Sequence, residues 1–322
     1  MTSALRAAVV LLGPLLLAQC ASFGRKVTIA YGAVAAQVAQ NEVQIELQRS
    51  FIETYRNRIG IDATFTVDAI SERPNPAMFD GDYHFAGRAP EIGLRLVAEI
   101  LNAGTVDSAV ELVKEAKSSG TPLRLSGAWR LWPEHAFAAR EEQGRPVREI
   151  PNANPDHVFE IHPVTRAGSM NLLHTVRTVD DYLPGNPRRT IGIYQDAEYQ
   201  LDIKPESVVL KVTTGLFNDV HFVMQVANDK PLVVRDGRFV TAAVLDEEGN
   251  RLVERLRMVF IKDTEPERAA RSLKAGSRLH VWGKPRVSFA EISRIIRESA
   301  SNPALLEGRL PYEIVVLGVM PD

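Results

Sequence analysis

The chain has 322 residues, 38 basic and 40 acidic side chains, a formal charge of −2 and 45% hydrophobic residues. That length predicts two domains at about 150 residues each, with enough apolar content for both to build cores. Balanced charge excludes the strongly basic footprint of a protein held to nucleic acid by its phosphates, and the single cysteine, Cys20, excludes an internal disulfide.

Arg6 followed by the apolar run Ala7 to Ala18 has the layout of an export signal. The run is too short to anchor as a span, which takes about 20 apolar residues. Leu17-Ala18-Gln19-Cys20 resembles the lipobox of bacterial lipoproteins, departing from it at Gln19, where the pattern wants a small residue. The resemblance implies a lipid anchor on Cys20 and an address in the periplasm or outer membrane; the alternative is plain cleavage near Ala18 or Ala21.

Residues 33–59 carry Val38, Val43, Ile45, Leu47 and Phe51 at spacings read as an amphipathic helix. From Ile61 the period changes: Ala63, Phe65, Val67 and Ala69 alternate as a strand, followed by strands at Gly81 to Arg88 and Leu94 to Leu101, a helix at Asp107 to Lys117, and strands at Leu123 to Trp132 and His157 to Arg166. A helix between the third and fourth of five strands is the order of an OB-fold barrel. Asp180 to Arg189 is Pro/Gly-rich and marks the linker. Beyond it come strands at Val208 to Thr214, Val220 to Ala227, Phe239 to Leu245, Leu252 to Ile261, Arg278 to Val287 and Tyr312 to Val319, with helices at Glu265 to Leu273 and Phe289 to Glu298.

Four short signatures recur in one order: Asp82-Tyr83-His84-Phe85 with Asp219-Val220-His221-Phe222, Leu94-Arg95-Leu96-Val97 with Leu256-Arg257-Met258-Val259, Gly127 to Arg130 with Gly283 to Arg286, and Phe159-Glu160-Ile161 with Tyr312-Glu313-Ile314. Such recurrence reads as two copies of one unit. The expected fold is mainly β with α, of α+β class: two tandem OB-fold-like β-barrels preceded by an N-terminal helix, spanning residues 60–170 and 199–322 with a linker at 171–198.

Two copies share what the fold needs, so Asp82, His84, Glu160, Asp219, His221, Arg286 and Glu313, together with Arg130, read as a structural network of paired, hydrogen-bonded charge. Residues that differ between the copies are the functional candidates. Trp132, His135, His157 and His162, in or beside the loop from Pro133 to Asp156, form the expected ligand-binding set together with Arg124 and Arg130 of the fourth strand, with Tyr83, Trp132 or Phe137 as a stacking platform. The alternative is a metal-dependent hydrolase in which Asp82, His84, Glu160 and His162 converge, since imidazole and carboxylate are zinc and manganese ligands. No nucleophile elbow or phosphate loop is present in the sequence. A binding module without a cofactor is therefore expected, its partner an envelope protein, a glycan or an oligonucleotide.

Asp80-Gly81-Asp82-Tyr83-His84 and Glu160-Ile161-His162-Pro163-Val164 give residues 60–168 a resemblance to a family of small secreted bacterial domains marked by Asp-Gly-Asp-x-His and Glu-Leu-His-Pro-Val. Ile161 departs from the leucine of that pattern, and Trp129-Arg130-Leu131-Trp132 from its phenylalanine-rich fourth strand. The resemblance implies an OB-like fold and an exported address, and it transfers no reaction.

Overall fold

The computed structural model describes residues 42–136, 140–213, 216–228 and 230–320. The export signal, Cys20 and Phe137 lie outside them. The chain begins with β1 (Glu42–Gln48) and α1 (Arg49–Tyr55). The first barrel follows as β2 (Gly60–Ile70), β3 (Tyr83–Arg88), β4 (Leu96–Ile100), α2 (Asp107–Ser119) and β5 (Leu123–Leu131), then a long loop carrying β6 (Arg140–Glu142), then β7 (Phe159–Ala167) and β8 (Met170–Asn171). The connection holds α3 (Pro187–Asp196), β9 (Glu198–Ile203) and β10 (Ser207–Thr213). The second barrel is β11 (Val220–Val226), β12 (Leu232–Val234), β13 (Gly237–Leu245), β14 (Arg251–Ile261), α4 (Glu265–Ala270), β15 (Arg278–Val287), α5 (Phe289–Glu298), β16 (Glu307–Arg309) and β17 (Tyr312–Val319).

Strand pairing shows two closed five-stranded barrels. In the first, β2 pairs β3, β3 pairs β4, β4 runs parallel to β7, β7 pairs β5, and β5 returns to β2. In the second, β11, β13, β14, β17 and β15 repeat this circuit, with β14 parallel to β17. This 1-2-3-5-4-1 closure, with a helix between the third and fourth strands, is that of tandem OB folds. Closing so small a barrel needs bulges; besides those on β2 and β13, each barrel has one on its fourth strand beside a glycine. A Cβ on Gly127 would sit 2.4 Å from the Pro163 carbonyl oxygen, and one on Gly283 would sit 2.3 Å from that of Val315, so neither position admits a side chain.

A further sheet, in the order β16-β9-β10-β1-β6, joins the barrels and was not expected. The helix expected over residues 33–59 is corrected within the described part: Glu42–Gln48 is a strand, and only Arg49–Tyr55 is helical. Val43, Ile45 and Leu47 are buried at every second position, a strand period, because β1 sits between β10 and β6. Likewise Val208 to Thr214, expected as a strand of the second domain, falls on β10 of this sheet, while β13 and β14 supply the second barrel's second and third strands. At the joint between the barrels, Phe289 of α5 stacks on Trp129 of β5 with centroids 4.4 Å apart, and Phe51 of α1 packs edge-on against Phe289.

Candidate functional site

The sequence repeat resolves into topology signature by signature. Arg130 stands opposite Glu160 across β5 and β7, as Arg286 stands opposite Glu313 across β15 and β17, so the last two signatures are equivalent. Leu94 to Val97 and Leu256 to Val259 lie at matching third strands but two residues out of step, since Val97 faces Glu160 and Met258 faces Ile314. The first signature is a coincidence of sequence: His84 is on the second strand of its barrel and His221 on the first strand of its own.

The equivalent arginines clasp the barrels together. Arg130 donates from Nη1 to both oxygens of Glu160, at 2.9 and 2.7 Å, and from Nε to the carbonyl of Pro285 in the other barrel at 2.8 Å. Arg286 donates from Nε to Glu313 at 2.7 Å and from Nη1 to the carbonyls of Trp129 and Ile59, at 2.8 and 3.0 Å. Each arginine thus bonds the carbonyl of the residue preceding the other. Both are essentially out of water. The Arg286 guanidinium also lies over the Trp129 ring at 3.6 Å, and burial pushes its pKa down to about 10 against the pull of Glu313. Charges so placed have to be paired and bonded to be tolerated, and the bidentate fork of arginine provides this.

Beside the clasp lies a second buried cluster. Asp82, Glu99 and His162 of the first barrel meet Lys284, which reaches in from β15. His162 Nδ1 is 2.6 Å from Glu99 Oε2, its Nε2 is 3.4 Å from Asp82 Oδ2, and Lys284 Nζ is 3.5 Å from the same Asp82 oxygen. These are charge contacts without hydrogen-bond alignment: both Asp82 oxygens, both His162 nitrogens and Lys284 Nζ lack an aligned partner. Around Asp82 the charges are therefore paired without hydrogen bonds, unlike those of Arg130 and Arg286. Burial, with Asp80 nearby, raises Asp82 well above the usual carboxylate range. Glu99, despite burial, is held well below it by His162 and His84. Burial lowers the His162 imidazole, and Lys284, though buried, is raised by Asp82 and Glu99. Burial thus favours the neutral forms of Asp82 and His162, while the opposite charges of Glu99 and Lys284 favour each other.

The remaining candidates divide by place. His157 Nε2 donates to Glu160 at 3.2 Å, and its ring stacks on His135 at 5.0 Å between centroids. Burial, with His157 adjacent, pushes His135 down to about 4, and burial pushes Glu134 up to about 8. Trp132 is buried edge-on against Tyr194. The expectation of an accessible face carrying Arg130 and Trp132 is thus corrected, because β5 runs into the joint between barrels, where both of its faces are covered; Tyr83 is equally enclosed. Arg124 is exposed and bonds Thr64 at 3.3 Å. Of the four residues considered for a metal, Asp82 and His162 do come together, His84 touches Glu99 at 3.5 Å, and Glu160 is engaged by Arg130. Asp219 bonds Tyr182 and the Gly185 amide, and His221 meets Glu247, so neither belongs to the joint.

Glu99 and Lys284 were missed. A lone carboxylate in the apolar run Leu96 to Ile100, and a lone ammonium between Gly283 and Pro285, were the signals available.

The loop between β5 and β7 lines a groove of about 750 Å³ with Arg95, Arg140, Arg145, Arg148, Ile150 and Asp156 among its walls. Arg95 donates from Nε to Glu141 at 2.7 Å, and Arg145 pairs with Glu142 at 2.6 Å. Arg140 and Arg148 are exposed.

No protein-family model matches the sequence, and no curated protein does. Among solved structures the chain overlays on the wild-type single-stranded DNA binding protein from Thermus aquaticus at 10% identity, covering 82% of this chain and 91% of that one with a TM-score of 0.21. A deletion mutant of the same protein gives 9% identity, 82% and 93% coverage and a TM-score of 0.21. Overlays this loose carry no argument about this chain; its OB assignment rests on the strand circuit.

Proposed function

We propose that the protein is an exported envelope component acting as a binding module, which takes an extended polypeptide partner in the groove beside β6. The observation that carries this reading is the position of the groove. It lies on the loop between the fourth and fifth barrel strands, through which OB barrels commonly engage ligands, and it runs along β6, an edge strand among the described residues. An extended segment can add to such an edge, its main chain supplying hydrogen bonds and the groove supplying side-chain contacts. Arg140 and Arg148 alongside Glu149, Asp156, Val147 and Ile150 make a wall of mixed character. That wall suits a polypeptide better than the uniformly anionic backbone of an oligonucleotide.

Export is supported by the pattern of the first twenty residues; among the described residues no helix is long and apolar enough to cross a membrane. The hydrolase alternative has less support, since Asp82, Glu160 and His162 face Lys284 and Arg130 rather than solvent.

The test is a photo-crosslinking residue placed at Arg148, with Lys114 on the exposed face of α2 as control, in an exporting host. A protein adduct at 148 alone, lost on Arg140→Glu, is the expected outcome. Equal adducts at both positions, or none at 148, would overturn the reading. Binding of single-stranded oligonucleotide or glycan by the purified chain, abolished by Arg148→Glu, would move the ligand to that class.

A further inference from the structure

We infer that the second barrel carries a solvent-open divalent metal site, suited to zinc, formed by His221, His280 and Glu247. His221 stands on β11 and His280 on the neighbouring strand β15, while Glu247 projects from the tight turn between β13 and β14. Three separate elements thus bring ligand atoms to one point on the barrel surface.

The spacing fits an ion. His221 Nδ1 lies 3.3 Å from His280 Nε2 and 3.5 Å from Glu247 Oε1. Two ligand atoms bound tetrahedrally at zinc distances of about 2.0–2.1 Å are separated by about 3.3–3.4 Å. His221 presents Nδ1 and His280 presents Nε2, from neighbouring strands, with the rings 5.6 Å apart at a tilt of 48°. A bare histidine pair would explain the first distance, but a carboxylate at the third corner gives an intervening cation its charge partner.

The turn that offers Glu247 is itself fixed. Asp246 accepts from the Asn250 amide at 2.7 Å, Arg188 of α3 pairs with Asp246 at 2.7 Å, and Gly249 takes the left-handed conformation at φ +83. His221 is nearly buried while the Glu247 side chain is 56% exposed, which leaves the fourth position to water. Three protein ligands and one open position suit a reversibly held ion.

The other cluster of metal-ligand types among the described residues, Asp82, Glu99 and His162, is built differently. There the two carboxylates face opposite nitrogens of one ring, and the Lys284 ammonium already occupies the place of a cation. Bound zinc at His221 would instead clip the β13–β14 turn to the sheet, raising the melting temperature by mass action.

The experiment is calorimetric titration of the untagged full chain with Zn²⁺, paired with cobalt(II) absorption as a report of tetrahedral geometry. One ion per chain is expected, with His280→Ala and Glu247→Gln each weakening binding at least about tenfold, given that even outer-shell changes cost 10–100-fold. Both positions reach solvent, so the variants should keep their fold, checked by far-ultraviolet circular dichroism. Absence of one-to-one binding, or unchanged affinity in His280→Ala, would overturn the assignment. So would binding that survives His280→Ala and disappears in Glu99→Gln, which would put the ion in the buried cluster.

Discussion

In the first barrel the fifth strand reads Phe159-Glu160-Ile161-His162 and the fourth places Ala128 two residues before Arg130; in the second the fifth strand reads Tyr312-Glu313-Ile314-Val315 and the fourth places Lys284 two residues before Arg286. The arginine and glutamate are common to both, and each arginine crosses to the other barrel, so the joint has approximate two-fold character in its centre. Its two ends are unlike. At one, Lys284 meets Asp82, His162 and Glu99; at the other, Ala128 packs with Val259, Val315 and Trp282 in an apolar cluster. Duplication preserved the clasp, whereas the flanking positions became a charged end and a dry end. A joint with distinct ends has one register, because turning either barrel around would bury Lys284 against valines.

Three substitutions break or sharpen this comparison. Arg286→Met strikes the shared centre: it leaves the buried Glu313 with only Arg257, 3.5 Å away, and strips the carbonyls of Ile59 and Trp129 of a donor. A loss of about 3–5 kcal/mol is expected, read by urea denaturation, with part recovered in Arg286→Met/Glu313→Gln. A cost below about 1 kcal/mol would show that the clasp does not hold the barrels.

Lys284→Met strikes the charged end alone. It takes the one ammonium away from Asp82 and Glu99, but its contacts there lack hydrogen-bond alignment, so about 2–3 kcal/mol is expected, less than at the centre. An equal or larger loss would place the main charge pairing at this end.

The smallest effect carries a sign. Glu134 is pushed by burial up to about 8 from an ordinary 4.5, against the pull of Arg130. A carboxyl raised in the folded state takes up a proton on folding, so its contribution to stability falls as pH climbs from the unfolded value to the folded one. Glu134→Gln should nearly match the parent at pH 4.5 and exceed it by about 1–2 kcal/mol at pH 8, a figure reduced because 19% of the side chain still meets water. A variant that loses stability at pH 8 would mean that the carboxylate, not the acid, is the bonded form.

Both barrels were legible where periodicity was strong. The alternation of β2, the helix after β4 and α5 at Phe289–Glu298 stand where their patterns place them. The joining sheet was not, because β1, β6, β9, β10 and β16 are three to seven residues long and pair over distances that local pattern does not encode. The repeat set Arg130 against Arg286 and Glu160 against Glu313, which stand at equivalent places, but also set His221 against His84, since short matches carry no strand order. Exposure was the weakest inference. Alternation sorts faces of a strand, and on β5 the outward face of the barrel is covered by the second barrel, so Arg130 and Trp132 turned out enclosed.

The joining sheet also sets an order of assembly. Glu42 of β1 pairs with Thr213 of β10, while every strand of the first barrel lies between them in sequence. The first barrel can close while β1 still has no partner on its β10 side, leaving an apolar strand with one edge open until much of the chain has arrived. Loop closure over such a span is slow, and unpaired edges are where chains associate wrongly. A chain interrupted before β10 would therefore hold a finished barrel and a sticky margin, a natural handle for chaperone capture or for degradation.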